Sequence, residues 1–308
     1  VLRGFVDPLH AEFVRNGLTY GFDCGARRSL LKGQRVFSNY PGAVGAFRRQ
    51  VVDAITDRVT RGKTLNLGRW EAHMRTLLRD IFGDFFIFPM NAVAKPLEPD
   101  KCRPTSDHTR TGFNAATVLG MLKHSLDTYN EIAFLLKQGF VMHVSDVDGA
   151  FPMLPLAPQM WPFFFFRFPM GQTDSLSLFC HLCGDFGTRG LPGTFKIFFV
   201  DVLVNMARSA MALVLPMPVY VDDMGIIGPA CKFTDRETQK FQDWAEEFTG
   251  VKFKRIKDRM ADYLQYMIGF WWDSFAQTRT LDESKLVAYV NSLVAFSNRR
   301  VLIDGLSA

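Results

Sequence analysis

The sequence predicts one continuous α+β body, and three observations lead there. Apolar residues recur at helical spacing in four stretches, strand-like runs lie between those stretches, and no Gly/Ser-rich or acidic linker divides the chain. No internal repeat is visible either.

The first helical stretch, Arg49 to Arg61, and the last, Glu283 to Phe296, each carry an apolar stripe beneath charges. Between them, Phe195, Phe198, Val202 and Met206 fall on one helical face just after Pro192, a residue suited to a helix start. Thr234 followed by Glu237 reads as a capping box before Phe241, Trp244 and Phe248, and Gly250 supplies the stop.

Strand signals interleave with these helices. Phe140 to Asp146 alternates, so that Phe140, Met142, Val144 and Asp146 share one face and the aspartate ends the more apolar row. Trp161 to Phe168 is a second candidate, whose four consecutive phenylalanines read as a strand buried on both faces or as a base-stacking platform. Leu213 to Val221 and Met224 to Ile227 flank Asp222-Asp223, which predicts a hairpin with an acidic pair at its bend.

With 308 residues, 48% of them hydrophobic, the chain can bury a real core, which excludes a disordered tail as the main reading. The longest charge-free runs, such as Ser209 to Val221, are too short and too Pro-broken to cross a bilayer, and no basic-then-apolar leader opens the chain. An intracellular protein, in cytoplasm or nucleus and with no membrane partner, is expected. The chain begins with Val rather than Met, which reads as a segment of a longer polypeptide. A formal charge of +5 permits a polyanionic partner without demanding one. The five cysteines are odd in number and scattered, against a disulfide framework. Cys180-His181-Leu182-Cys183 has no second ligand pair at a zinc-like spacing, so its cysteines read as packed and reduced.

An aspartate closing an apolar strand and an Asp-Asp pair closing a hairpin are costly if buried without counter-ions. Hard oxygen ligands on a rigid sheet suit Mg²⁺, which borrows the rest of its shell from substrate phosphates. Taken alone, an Asp-Asp at a turn is a solvated turn. Adjacent residues of a regular strand also face opposite ways, so both carboxylates serve one site only if the bend turns them together.

Five blocks in order carry the case further. They are Lys95 with Lys101-Cys102-Arg103-Pro104-Thr105-Ser106-Asp107-His108 and Asn114; Val144-Ser145-Asp146-Val147-Asp148-Gly149-Ala150-Phe151; and Phe186-Gly187-Thr188-Arg189-Gly190-Leu191-Pro192-Gly193-Thr194-Phe195. Tyr220-Val221-Asp222-Asp223 follows, and then Lys257 with Ile268-Gly269-Phe270 and Trp272-Asp273. Over about residues 80 to 275 this series resembles the reverse transcriptases of long-terminal-repeat and tyrosine-recombinase (DIRS-like) retroelements.

The resemblance implies a right-hand polymerase fold, an antiparallel palm sheet packed on helices. It divides the chain into an N-terminal extension (1–79), fingers (80–140), palm (141–280) and the start of a thumb or connection (281–308). It implies two Mg²⁺ ions, or Mn²⁺ in their place, bound by Asp146, Asp222, Asp223 and the Val147 carbonyl. Arg103 and Lys95 would hold the triphosphate of a deoxynucleotide, as a fork and as a point charge; for Lys95 the plainer reading is an ordinary exposed lysine. Phe151 stands where a bulky ring crowds a ribonucleotide's 2′-hydroxyl, selecting by repulsion, unless it is a core Phe beneath the strand. Phe186 and Gly187 would line the same pocket, with Gly187 letting backbone approach the substrate. Lys257 matches a lysine that protonates the leaving pyrophosphate, although Lys252, Lys254 and Arg255 crowd it.

The implied activity is RNA-directed DNA synthesis from a DNA primer on an RNA template, with a ribonuclease H domain of the same polyprotein as an expected neighbour. Two other readings compete. An RNA-dependent RNA polymerase would carry a small or hydrogen-bonding group where Phe151 stands; the other reading is a non-catalytic RNA-binding scaffold, which would usually have lost a metal carboxylate, or a catalytically decayed copy. Asp148 and Met224 depart from the common pattern without removing a ligand.

Overall fold

The computed structural model describes residues 5–95, 98–125, 129–171 and 173–304. The last four residues of the expected thumb segment and the first four of the chain lie outside the described residues.

A five-stranded sheet is built from β1 (Gln34–Val36), β2 (Thr64–Arg69), β3 (Phe85–Phe88), β7 (Phe165–Pro169) and β8 (Leu176–His181), in the order β1-β3-β7-β8-β2. The β1–β3 and β3–β7 pairs are parallel; β7–β8 and β8–β2 are antiparallel. All four residues of β3 are fully buried, as a strand covered on both faces requires. Two of the five strands come from the segment before residue 80.

The phenylalanine run departs from expectation at its start. Residues Pro158–Phe163 form a 3₁₀ helix and the strand begins only at Phe165. Pro158 favours the helical start, and Pro162 has no N–H for a ladder. Phe163, Phe164, Phe166 and Phe168 are all buried, so the run is core and not a stacking platform.

A second, wholly antiparallel sheet runs β11-β6-β10-β9 and is formed by β6 (Val141–Asp146), β9 (Val219–Tyr220), β10 (Asp223–Gly228) and β11 (Arg259–Asp262). The expected strand from Leu213 shrinks to Val219–Tyr220, because Pro216 and Pro218 supply no amides. Their carbonyls still accept from Ile227 and Gly225, at 3.0 and 2.9 Å, and guide the approach to β9.

Two helices back this sheet. Residues 191–211 form one helix whose middle, Lys196–Val204, is a π-helix. The wider turn rotates the face that 3.6-residue periodicity predicts. Phe195, Phe198 and Val202 stay buried and Ala207 turns in, while Met206 is exposed. The other helix, Cys231–Thr249, starts three residues earlier than the expected capping box. Thr234 sits inside it, buried, its hydroxyl donating to the Ala230 carbonyl at 2.9 Å, and Gly250 ends it in the left-handed conformation at φ 71°. Phe241 and Ala245 bury against Phe199, Phe253 and their neighbours in the main core.

The remaining strands frame the sheet's open end. They are the ribbon β4 (Met90–Lys95) with β5 (Glu98–Ser106), and the meander β12 (Leu264–Met267), β13 (Phe270–Asp273) and β14 (Thr278–Leu281). The helix Arg48–Thr60 appears where its stripe predicts it. The last helix, Glu283–Asp304, exposes Leu286, Val290 and Leu293. Among the described residues no helix is long and apolar enough to cross a membrane.

Candidate active site

The register of β6 against β10 brings the acidic residues together. Asp146, the last residue of β6, is the direct Cα partner of Asp223, the first of β10. The Val147 amide donates to the Asp222 carbonyl at 2.9 Å, extending the pairing one residue beyond the strand. Tyr220 pairs with Asp223, so Val221 and Asp222 alone make the turn. Val221 lies at φ 57°, a left-handed conformation that costs a β-branched residue about 1–3 kcal/mol. This bend breaks the strand alternation, and Asp146, Asp222 and Asp223 all line one cleft of about 840 Å³.

The carboxylates are poorly solvated and repel one another. Burial, then Asp222, then Asp146 push the Asp223 carboxyl up to about 6. Burial, followed by the charge on Asp146, also raises Asp222, against its own backbone amide and the cations Lys254 and Arg103. Hard oxygen donors with excess negative charge suit a divalent cation. The geometry is less ready than the chemistry: among the described residues, no three acidic, His or Cys side chains are gathered closely enough to hold a metal ion as they stand. Asp146 is turned toward cations of the chain itself, Lys254 Nζ 2.9 Å from Oδ1 and Lys257 Nζ 3.3 Å from Oδ2.

The β4–β5 ribbon contributes to the same cleft. Lys95, half-exposed and 3.3 Å from Glu98, and Arg103, exposed on β5, both line the cleft. Phe151 and Phe186 form an apolar wall beside Asp146. Phe151 is only 7% exposed and belongs to the core cluster, so its two readings, core ring and cleft wall, coexist.

Two expected residues do not reach the cleft wall. Val147 is fully buried, bridged to Phe253. Gly187 lies at φ 121°, and a Cβ there would stand 1.9 Å from the Ser106 carbonyl oxygen. The backbone that this glycine admits is the chain's own rather than a substrate.

A buried polar cluster fixes that junction. His108 Nε2 lies 3.0 Å from Asp185 Oδ2, and Thr188 donates to the other Asp185 oxygen at 2.7 Å. Although burial opposes it, His108 and its neighbours hold the Asp185 carboxyl far below the usual range. The Ser106 amide donates to the Phe186 carbonyl at 2.8 Å, and Asn114 Nδ2 to the Gly187 carbonyl at 2.9 Å. The loop bearing Phe186 is thereby stapled to the strand bearing Arg103. His181 of the C-x-x-C segment packs on the same cluster, and burial presses its pKa well below the ordinary value.

Sequence reasoning missed Arg259, which lines the cleft and opposes the Asp223 shift, and left Lys254 only as a neighbour of Lys257. A signal for Lys254 existed: the alternation Lys252-Phe253-Lys254 places a buried ring between two cations on a short extended segment. Tyr266, Ile268, Gly269 and Lys285 also line the cleft.

No family model and no curated protein matches the sequence. Solved structures do match. A foamy viral protease-reverse transcriptase in complex with dsDNA superposes with a TM-score of 0.56 at 17% identity, over 82% of this chain and 44% of that one. The fold matches retroviral reverse-transcriptase polymerase domains. Prototype Foamy Virus protease-reverse transcriptase in its native form gives 0.53 at 15% identity, over 82% of this chain and 29% of that one. The chain thus spans less than half the length of these reverse transcriptases.

Proposed function

We propose that this chain is the polymerase core of a reverse transcriptase, an RNA-directed DNA polymerase extending a DNA primer on an RNA or DNA template with deoxynucleoside triphosphates. The observation that carries the reading is the pairing of Asp146 with Asp223 beside a strained Val221-Asp222 turn, in a cleft that Arg103 and Lys95 also line. The ordered sequence blocks favour an element of the long-terminal-repeat or tyrosine-recombinase kind. On this reading the β4–β5 ribbon belongs to fingers (80–140), the sheet β11-β6-β10-β9 to the palm (141–280), and the last helix begins a thumb or connection (281–308).

Asp146, Asp222 and Asp223 would hold two Mg²⁺ ions, for which Mn²⁺ can substitute. Bound there, the ions would supply charge neutralisation at the transferring phosphate and activation of the primer 3′-oxygen. Arg103 grips triphosphate oxygens through its guanidinium fork and Lys95 adds a point charge. Phe151, backed by Phe186, fills the space a 2′-hydroxyl would need, which favours DNA over RNA synthesis. Lys257 donates its proton to the departing pyrophosphate. The chain's net charge of +5 supports a hold on template and primer through their phosphates, as does the likeness to structures solved with dsDNA.

The test is Mg²⁺-dependent primer extension on an RNA template, run with deoxynucleotides and with ribonucleotides, for the wild-type chain and Asp222→Asn. Deoxynucleotide incorporation that disappears in the variant is the expected result. Template–primer binding without incorporation by the wild type overturns the catalytic reading in favour of an RNA-binding scaffold.

A further inference from the structure

We propose that Lys254 is a built-in counter-ion of the metal site: in the nucleotide-free protein its ammonium takes the cation position on Asp146, and a divalent ion must displace it. This rests on the polymerase reading above, in which Asp146 is a metal ligand.

The backbone holds Lys254 in place. Its amide donates to the Asp146 carbonyl at 2.9 Å, the Asp148 amide donates to the Lys252 carbonyl at 2.8 Å, and Val147 bridges to Phe253 between these bonds. Phe253 is buried in the main core, which pins the segment from behind. The lysine side chain can rotate, but its Cα cannot leave the neighbourhood of Asp146.

The ammonium is placed between two carboxylates, 2.9 Å from Asp146 Oδ1 and 3.9 Å from Asp148 Oδ1. Asp148 is itself held by Arg61 at 3.4 Å, so it is not free to draw Lys254 away. Lys257 approaches the second Asp146 oxygen at 3.3 Å, yet its side chain is 61% exposed against 31% for Lys254. Water screens the more exposed pair more strongly, so Lys254 is the stronger competitor for Asp146. With Asp146 held this way the three carboxylates do not form a ready cage, which agrees with the geometry of the site. Lys254 is in this sense a positioning residue. It offsets one of three repelling charges until an ion arrives, and it sets the cation concentration at which the site assembles.

The experiment measures Mn²⁺ binding to the full chain, without nucleotide or primer, by the loss of the free-ion paramagnetic resonance signal. Lys254→Met is expected to tighten Mn²⁺ binding about tenfold, the effect of removing one nearby unit charge at intermediate screening. Lys254→Arg, which keeps the charge, is expected to stay within about twofold of wild type, and Lys257→Met to fall between the two. Unchanged affinity in Lys254→Met, or equal tightening in Lys254→Met and Lys254→Arg or in Lys254→Met and Lys257→Met, overturns the proposal. Asp222→Asn separates the two levels of argument. If Mn²⁺ binding survives that substitution, the metal-site reading itself fails, whatever Lys254 does.

Discussion

The ring of Phe151 meets the ring of Phe186 edge-on, with 5.3 Å between centroids, and a second edge contact to Phe195 at 6.3 Å fixes it from below. A ring held by two others resists displacement, as the proposed selection by exclusion would require. Phe151→Val should raise ribonucleotide incorporation relative to deoxynucleotide incorporation by about tenfold or more. It should also cost on the order of 2 kcal/mol of stability, since it opens a cavity in the core. Single-nucleotide extension kinetics with matched ribo- and deoxynucleotides, beside a denaturant melt, read both effects. Unchanged discrimination with the stability loss would make Phe151 a core residue only.

Gly187 is constrained twice over, by φ 121° and by the Ser106 carbonyl oxygen 1.9 Å from where a Cβ would stand. Gly187→Ala must therefore separate the loop carrying Phe186 from the strand carrying Arg103. A loss of at least about 2 kcal/mol is expected, together with weaker nucleotide binding. A variant as stable as wild type, with wild-type nucleotide affinity, would refute this tight junction.

Asp223 ties stability to pH. Its folded carboxyl titrates at about 6, above the ordinary 3.8, so the unfolded chain gives up this proton more readily than the folded one. Its contribution is therefore most favourable below about pH 4 and is lost as pH rises to 6. Asp223→Asn should stabilise the metal-free protein by on the order of 2 kcal/mol at pH 7.5, with the gain shrinking toward zero near pH 4. Buried His181 acts in the opposite sense, its depressed pKa withdrawing stability as pH falls below about 6.5. The difference between variant and wild-type melts across pH isolates Asp223, because His181 is common to both. A gain independent of pH would sink the assignment.

The Cys231–Thr249 helix, the Asp146 strand end and the acidic hairpin were legible because each is a local pattern: a 3.6 period, a period of two, and an acidic pair between apolar runs. The errors have local causes of another kind. Pro162, Pro216 and Pro218 removed amides from runs whose hydropathy reads as strand, and the π-helix over Lys196–Val204 turned Met206 outward where a regular helix would bury it. Thr234 resembles a cap but lies inside its helix, because its hydroxyl bonds back to the carbonyl four residues earlier.

By itself the sequence determined the α+β class, the presence of the three carboxylates and the order of the blocks, since side-chain type and spacing are written along the chain. Tertiary structure alone decided which charges meet. Asp146 and Lys254 are 108 residues apart, and only the short pairing of residues 146–148 with 252–254 brings them to 2.9 Å. Asp185 and His108 meet across 77 residues, and Gly187 meets Ser106 through a packing contact invisible to any local pattern. Electrostatics and steric exclusion depend on distance in space, and the fold sets that distance through register and core packing rather than through sequence spacing.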